Sequence, residues 1–390
     1  MQRIGIAAVA AATLLAGQCF GLELQPIAVA ETEVRAVAHE FEGLSGFTVP
    51  RAYLGGRVAL HADAELVLVG NWRLPEAPDL LDVALRFRPH SSVEVIAGYW
   101  RTPAFSSVRD QFDERQPVPE RSLVAGALGS GRDLGVDVHL RSADLPVAAW
   151  LHVGNGVASV VGNDNTSLAV DARADWTLGR ARHGAQGTEP VGLLVGVSGH
   201  FDPNSADRAA IAGRTVTGFA WWRGPTVSGR RWLVQGHALA QWRSVQVRAE
   251  AGFASEGRSQ DSDGNPSTPR AVEQAVHAWG WSGEAAWMVL GPWRHGDAWP
   301  GSESGAQSST SASGGLEVAG RAERLAVGRA AQDVTASGAY AVSAAVRWWS
   351  AAHWGLALAG YRYAWDTAPV EARDVRETWT VLARLTVSVR

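Results

Sequence analysis

Thr378-Trp379-Thr380-Val381-Leu382-Ala383-Arg384-Leu385-Thr386-Val387-Ser388-Val389-Arg390 is the stretch that decides the fold. Trp379, Val381, Ala383, Leu385, Val387 and Val389 share one face, and Thr378, Thr380, Arg384, Thr386, Ser388 and Arg390 share the other, with Leu382 the one exception. A period of two residues is that of a β-strand with one apolar and one polar side. Taken once, the pattern suits a strand in any half-buried sheet. What discriminates is its repetition upstream.

The same alternation recurs at 51–61, 65–74, 81–88, 93–100, 133–141, 147–154, 168–176, 191–201, 214–223, 231–242, 245–254, 278–290, 315–325, 337–349 and 354–365. With the terminal segment this makes about sixteen strands, an even number suited to a single-chain membrane barrel. Residues 33–41 are a further candidate that would add to or replace one at the start. In lipid every backbone amide must be paired, so a sheet can cross only when closed, with apolar side chains outward and polar ones around a wet lumen. Arg86, Arg88, Asp137, Arg173, Arg248, Glu250, Arg321 and Glu323 are expected on that inner face. Many of the 18 Trp fall near strand ends, as Trp72, Trp100, Trp176, Trp221, Trp222, Trp232, Trp242, Trp348 and Trp365, where an indole can sit at headgroup level. The expected fold class is therefore all-β, a transmembrane antiparallel barrel.

Composition agrees. The chain has no Lys, so its 35 basic residues are all Arg, and the net charge of −4 excludes the concentrated basic surface of a nucleic-acid binder. Met1-Gln2-Arg3 and the apolar run 4–16 form a secretory signal too short to span a bilayer. Cleavage is expected between 21 and 30, near Gly21 or after Ala28-Val29-Ala30, so residues 1–30 read as leader and 31–390 as barrel. Cys19 is the only cysteine, and Gln18 before it is wrong for a lipoprotein box, where a small residue is required. Long links are expected at 102–132, 180–189, 256–270 and 294–313, the last continuing into a Ser- and Gly-rich tract read as an external loop.

Signals for an enzyme or a cofactor are poor. Gly129-Ser130-Gly131 lacks the full spacing of a dinucleotide loop and precedes a strand. Asp261, Asp263 and Asn265 resemble the opening of a calcium loop without its downstream Glu. The 11 His have no paired spacing for zinc. No catalytic set, metal site or cofactor is expected.

Order and spacing of short motifs carry a resemblance. Residues 46–55 (Gly-Phe-Thr-Val-Pro-Arg-Ala-Tyr-Leu-Gly) are followed by residues 97–105 (Ala-Gly-Tyr-Trp-Arg-Thr-Pro-Ala-Phe). Then come Glu120-Arg121-Ser122-Leu123, Gly131-Arg132-Asp133-Leu134-Gly135, Gly154-Asn155-Gly156 and Asn163-Asp164-Asn165. Together these resemble the phosphate-selective porin O and P family, most specifically over residues 46–178. The resemblance implies a sixteen-stranded channel in the outer membrane of a Gram-negative bacterium. It also implies trimers, a loop folded into the pore and an arginine ladder that draws small anions such as phosphate. Arg51 matches one of the family's early arginines, whereas Pro50 and Tyr53 stand where further arginines are common, and Arg101 stands where Lys is frequent.

An anion filter needs fixed positive charge in a narrow passage. Arg51, Arg57, Arg86, Arg88, Arg101 and Arg173 are the expected anion path, and residues 102–132 the expected constriction loop. On that loop Arg109, Arg115 and Arg121 could offer a phosphate-like anion bidentate contacts. The competing expectation is that Glu120-Arg121 and Arg132-Asp133 are ion pairs pinning the loop to the wall. A structural or plugged barrel is the alternative function. The chain ends Val389-Arg390, without the terminal aromatic common in outer-membrane strands.

Overall fold

A computed structural model describes residues 23–73, 79–110, 115–129, 131–142, 145–156, 162–163, 165–178, 191–209, 211–260, 271–291, 314–350 and 354–389. Its first strand is β1 (Leu24–Val37), followed by β2 (Gly46–His61), β3 (Ala64–Asn71), β4 (Asp79–His90) and β5 (Val93–Arg101). After two short helices come β6 (Arg132–Arg141), β7 (Val147–Gly154), β8 (Ala169–Leu178) and β9 (Val191–Ala209). Two minor strands, β10 (Gly213–Arg214) and β11 (Ala220–Trp222), precede β12 (Thr226–Trp242), β13 (Val245–Gln260) and β14 (Ala271–Leu290). The chain finishes with β15 (Gly315–Arg329), β16 (Ser337–Ser350), β17 (Trp354–Trp365) and β18 (Glu377–Val389).

Every strand pairs antiparallel with its neighbours, β10 and β11 only with each other, and β1 pairs with β18, so the other sixteen strands close into one barrel. Closure runs from Ala28 opposite Val389 to Val37 opposite Thr380. The alternation of β18 is as the sequence lays it out. Trp379, Leu385 and Val387 are exposed outward, while Thr378, Thr380 and Arg384 are buried inward. Leu382, the exception, also points inward and is 1% exposed within an internal apolar cluster. Outward exposure of apolar side chains all round the wall is the surface that hydrocarbon would cover.

Two of the expected strands differ. Residues 214–223 do not enter the wall; β10 and β11 form a separate two-stranded sheet. The alternation there is real, but Ile211, Trp221 and Trp222 are buried inside the barrel rather than facing lipid. The strand that makes up the number is β1, which starts nine residues before the suspected segment at 33–41, while Phe41 falls in a 3-10 turn, Glu40–Glu42. Its inner face holds Ile27 and Val29 as well as Glu31 and Glu33, so polarity alone does not mark its two sides. Residues 24–30 thus lie in the wall, whereas 1–22 are outside the described residues.

Tight turns at β2–β3, β4–β5 and β12–β13 share one rim with the outer ends of β1 and β18. Strand parity puts the links after Leu178 and after Leu290 on that same rim, since Trp242 pairs with Val191 and Val245 with Trp287. The links at 180–189 and 294–313, the second continuing into the tract read as an external loop, themselves lie outside the described residues. Counting strands, not link length, fixes the rim from which each departs. The links between β5 and β6, β9 and β12, and β13 and β14 leave the opposite rim.

Trp72, Trp176, Trp232, Trp242 and Trp348 lie on the outer surface, each at least 39% exposed. Trp221, Trp222 and Trp365 instead are buried inside. Trp100 packs against Ile27, Val67 and Val69 within the barrel. An indole at a strand end therefore marks either a lipid interface or an internal packing site, and sequence position does not separate them.

Candidate constriction site

The link between β5 and β6 turns into the lumen and carries two helices, α1 (Ser106–Arg109) and α2 (Leu123–Leu128). Phe105 opens α1 at φ 62°, a left-handed conformation costly for a bulky residue, and is held there by complete burial of its ring. Glu250 of β13 accepts from the Ser106 hydroxyl at 2.9 Å and from the Ser107 amide and hydroxyl at 2.8 and 2.6 Å. Its carboxylate thus caps the first turn of α1. Ser122 caps α2 by accepting from the Ala125 amide at 3.0 Å.

Ala104, Phe105, Val108, Leu123, Val124 and Leu128 join Leu233, Ala254, Ala278, Leu325, Tyr361 and Leu382 in one buried cluster. A lumen wall of small residues on β13 to β17 is what lets the helices dock. A methyl group at Gly252 would stand 2.9 Å from the Phe105 ring, and one at Gly280 would stand 2.8 Å from Val124 and 2.5 Å from the Arg324 carbonyl. Gly280→Val is therefore expected to unseat α2 at a cost of about 1–3 kcal/mol, typical of overpacking. Limited proteolysis of the folded barrel checks it: cleavage within 102–131 should quicken, and an unchanged digest would contradict the packing.

Arginines of the wall hold the loop by its polar atoms. Glu120 is bound by Arg51 of β2 at 2.8 Å and also by Arg384 of β18. Arg51 is fixed in turn by Glu31 at 2.6 Å, and Arg384 by Glu33 at 2.5 Å. Arg384 also donates to the Pro119 carbonyl at 2.6 Å. Arg321 of β15 donates to the carbonyls of Glu120 and Arg121 at 2.7 and 3.3 Å, and Arg347 of β16 to that of Gln116 at 2.5 Å. Across the lumen, Arg109 meets Asp137 of β6 at 2.8 Å. Asp110 receives two bonds from Arg173 of β8, at 2.7 and 3.2 Å. Arg173 is shared with Asp175 at 2.6 Å and lies 4.6 Å over the Trp150 ring. The loop is a strut tied to opposite walls.

The expected anion-path and constriction-loop residues therefore fall into groups. Arg51, Arg109 and Arg173 belong to the clasp. Arg86 and Arg88 sit near the tight-turn rim, where Arg86 meets Glu65 and Glu94 at 2.8 Å each and Arg88 meets Glu94 at 2.8 Å. Arg101 is buried at the end of β5, its carbonyl accepting from Arg109. Arg57, Arg115 and Arg121 are half-buried. Most inner-face charges expected to line water are instead nearly inaccessible, Arg86 at 2% and Asp137 at 2%, because opposite charges pair across strands and the loop covers them. Of the residues in the ion pairs expected at Glu120-Arg121 and Arg132-Asp133, Glu120 is held by Arg51 and Arg384. Arg132 meets Asp82 at 2.7 Å, and Asp133 accepts from the Gly156 amide at 2.8 Å.

Several contributors were not singled out from sequence. Arg347 belongs to the clasp, Gly252 and Gly280 make room for the loop, and residues 211–222 form a second insertion beside it. In that insertion Phe219 packs 4.9 Å from Phe41 and 6.3 Å from Trp365, the Val216 amide donates to the Tyr363 hydroxyl at 3.0 Å, and Trp222 donates to the Thr335 carbonyl at 2.8 Å. A glycine inside an alternating strand is the one available signal, since it marks close approach of another segment.

Histidines scattered in sequence come together with aspartates on the wall. Asp137, His152, Asp171 and His200 are cross-strand neighbours in one row over β6 to β9. His152 lies 3.2 Å from both Asp133 and Asp137, His200 3.1 Å from Asp171, and His237 3.0 Å from Asp175. No metal-holding group of three such side chains occurs among the described residues, and the Asp261, Asp263 and Asn265 segment lies outside them. What the row does is give Asp137 and Asp171 of this part of the wall an imidazole partner.

No family model and no curated protein matches the chain. Solved structures do. An anion-selective porin from Comamonas acidovorans is similar at a TM-score of 0.58 and 9% identity, over 94% of this chain and 99% of that one. The outer-membrane channel DcaP of Acinetobacter baumannii gives 0.58 and 8%, over 94% and 97%. OmpT of Vibrio cholerae, an outer membrane protein in its trimer form, gives 0.56 and 10%, over 94% and 99%. Such likeness spreads over porins and channels as a class and does not single out the phosphate-selective porins. At these identities it is the fold that is shared, and the chain has the closed-barrel architecture of outer-membrane porins and channels.

Proposed function

We propose that the protein is an outer-membrane channel for passive diffusion of small hydrophilic solutes in a Gram-negative bacterium. The observation that carries this reading is the inward loop held in the lumen by wall arginines, a built constriction rather than a collapsed link. On this reading the leader is removed before Leu24, since cleavage after Ala30 would take seven paired residues out of β1. Trimers rest on the family resemblance, with the trimer form of OmpT as a precedent in a protein of like fold.

Anion preference, phosphate included, is the finer part of the proposal. Among the expected path and loop arginines, Arg88 is exposed and Arg51, Arg57, Arg109, Arg115 and Arg121 are half-buried, and these are the ones a passing anion could meet. Charge pairing along the inner face keeps the preference weak. Planar-bilayer recording tests both levels. Steady unitary steps are expected, with a reversal potential under a KCl gradient displaced modestly toward that of chloride. Displacement toward potassium would remove the anion preference and leave the channel.

A second reading, a barrel plugged by its own loops, is favoured by the apolar cluster that both insertions form inside the lumen. Well-folded protein that inserts without conducting would decide for it.

A further inference from the structure

On the outer side of β15 to β17, near the rim opposite the tight turns, arginines stand where apolar side chains are the rule. Arg324 pairs across strands with Trp281 and Tyr340, which are 41% and 55% exposed, so it belongs to the outward row, yet it is itself 6% exposed. Arg362, on the same face, pairs with Trp379, which is exposed outward. Gly328, at φ 69°, lies in a bulge that sets Arg329 opposite His277, whose ring meets the outward Phe253 at 5.2 Å. A bulge re-aims a side chain, and Arg329 is turned to the outer surface, where it is exposed.

Three guanidiniums there face two carboxylates. Arg324 and Arg329 share Asp366, the second from 3.5 Å, and Arg362 holds Glu377 at 2.6 Å. The Arg324 guanidinium lies 4.2 Å from the centre of the Tyr340 ring, and its Nη1 has no hydrogen-bond partner. A buried charged donor left unmatched is a cost that a ligand oxygen removes. Trp281 and Trp379, beside these arginines, mark the level at which indoles meet lipid headgroups. Towards mid-wall the same face is apolar, with Val342, Leu358 and Val381 at 61%, 57% and 39% exposure. The cross-strand row Gly320, Ala344 and Gly360 leaves a shallow place against that part of the wall.

We propose that this patch binds the phosphate of a membrane lipid, its oxygens on Arg324 Nη1 and on Arg329 and its acyl chains on the apolar face below. One positive charge is in excess, which favours an anion, and the adjoining apolar face favours an anion that carries hydrocarbon over a free one. Arg329 makes the first contact because it is exposed, and the Tyr340 ring then moves aside to open Arg324. The rim of short turns is the periplasmic one in barrels of this class, so the lipid belongs to the outer leaflet. The inference goes beyond the channel reading, since the patch lies outside the wall and serves a conducting and a plugged barrel equally.

Native mass spectrometry of the full chain, folded in detergent, is the test, with lipid A, its dephosphorylated form and inorganic phosphate as probes. Lipid A should bind with a dissociation constant near ~10 µM, and the dephosphorylated form at least about tenfold more weakly. Arg329→Gln and Arg324→Gln should each weaken lipid A about tenfold, the first at an exposed position where loss of folding is not expected. Equal binding of the two lipid forms, or wild-type affinity in both variants, would overturn the site, as would no lipid A bound at about 100 µM. Displacement of lipid A by inorganic phosphate at about 1 mM would overturn the lipid in favour of a free-anion site.

Discussion

Arg173→Met is expected to destabilise the barrel by about 3–5 kcal/mol, the cost of breaking a buried charge set by removing one partner. Arg173 is 3% exposed and serves two carboxylates, Asp110 on the loop and Asp175 on its own strand, while its guanidinium lies over Trp150. Without it both carboxylates remain buried with less compensation, and the loop loses its tie to β8. The temperature at which the fast-migrating unboiled form is lost on a gel should fall, and single-channel current should become noisier. Combining Arg173→Met with Asp110→Asn and Asp175→Asn should recover most of the loss, because the uncompensated charge and not the missing bulk is the larger cost. A triple variant as unstable as the single one would show that packing on Trp150 dominates.

Glu120→Ala is expected to release the other end of the strut with little effect on the wall. Arg51 and Arg384 keep Glu31 and Glu33 as partners, so the barrel loses one shared carboxylate and no arginine is stranded. The segment 115–121 then depends on carbonyl contacts from Arg321, Arg347 and Arg384. Unitary conductance should rise several-fold if the loop sets the bore. Trypsin should cut at Arg115 and Arg121 sooner than elsewhere, a clean readout because a chain without Lys is cleaved only at Arg. An unaltered conductance together with an unaltered digest would mean that apolar docking of α2, not the carboxylate clasp, positions the loop.

Much of this was legible in the chain, for identifiable reasons. The wall strands from β2 onward keep a two-residue rhythm because each faces lipid on one side and charge on the other, a contrast that any stretch of the β18 kind displays. β1 blurred that contrast by placing Ile27 and Val29 on the inner face, Ile27 next to Trp100 and Val67. Residues 214–223 imitated it by burying alternate apolar groups in a plug. The total of sixteen survived because one strand entered as another left. Of the candidate site, the loop boundaries and its charged residues could be read, but their partners could not. Glu120 has Arg121 beside it in sequence, yet binds Arg51 and Arg384, which are 69 and 264 residues away.

By itself the sequence determined the closed antiparallel sheet, since period, strand number and the need to pair every amide in lipid are local or additive properties. Only the tertiary structure decided which arginines keep solvent access and which hold the loop. That choice depends on closure, which sets β18 beside β1 and lets carboxylates from distant strands claim the guanidiniums first. Coulomb attraction among buried side chains acts between neighbours in space, and sequence separation carries no record of them.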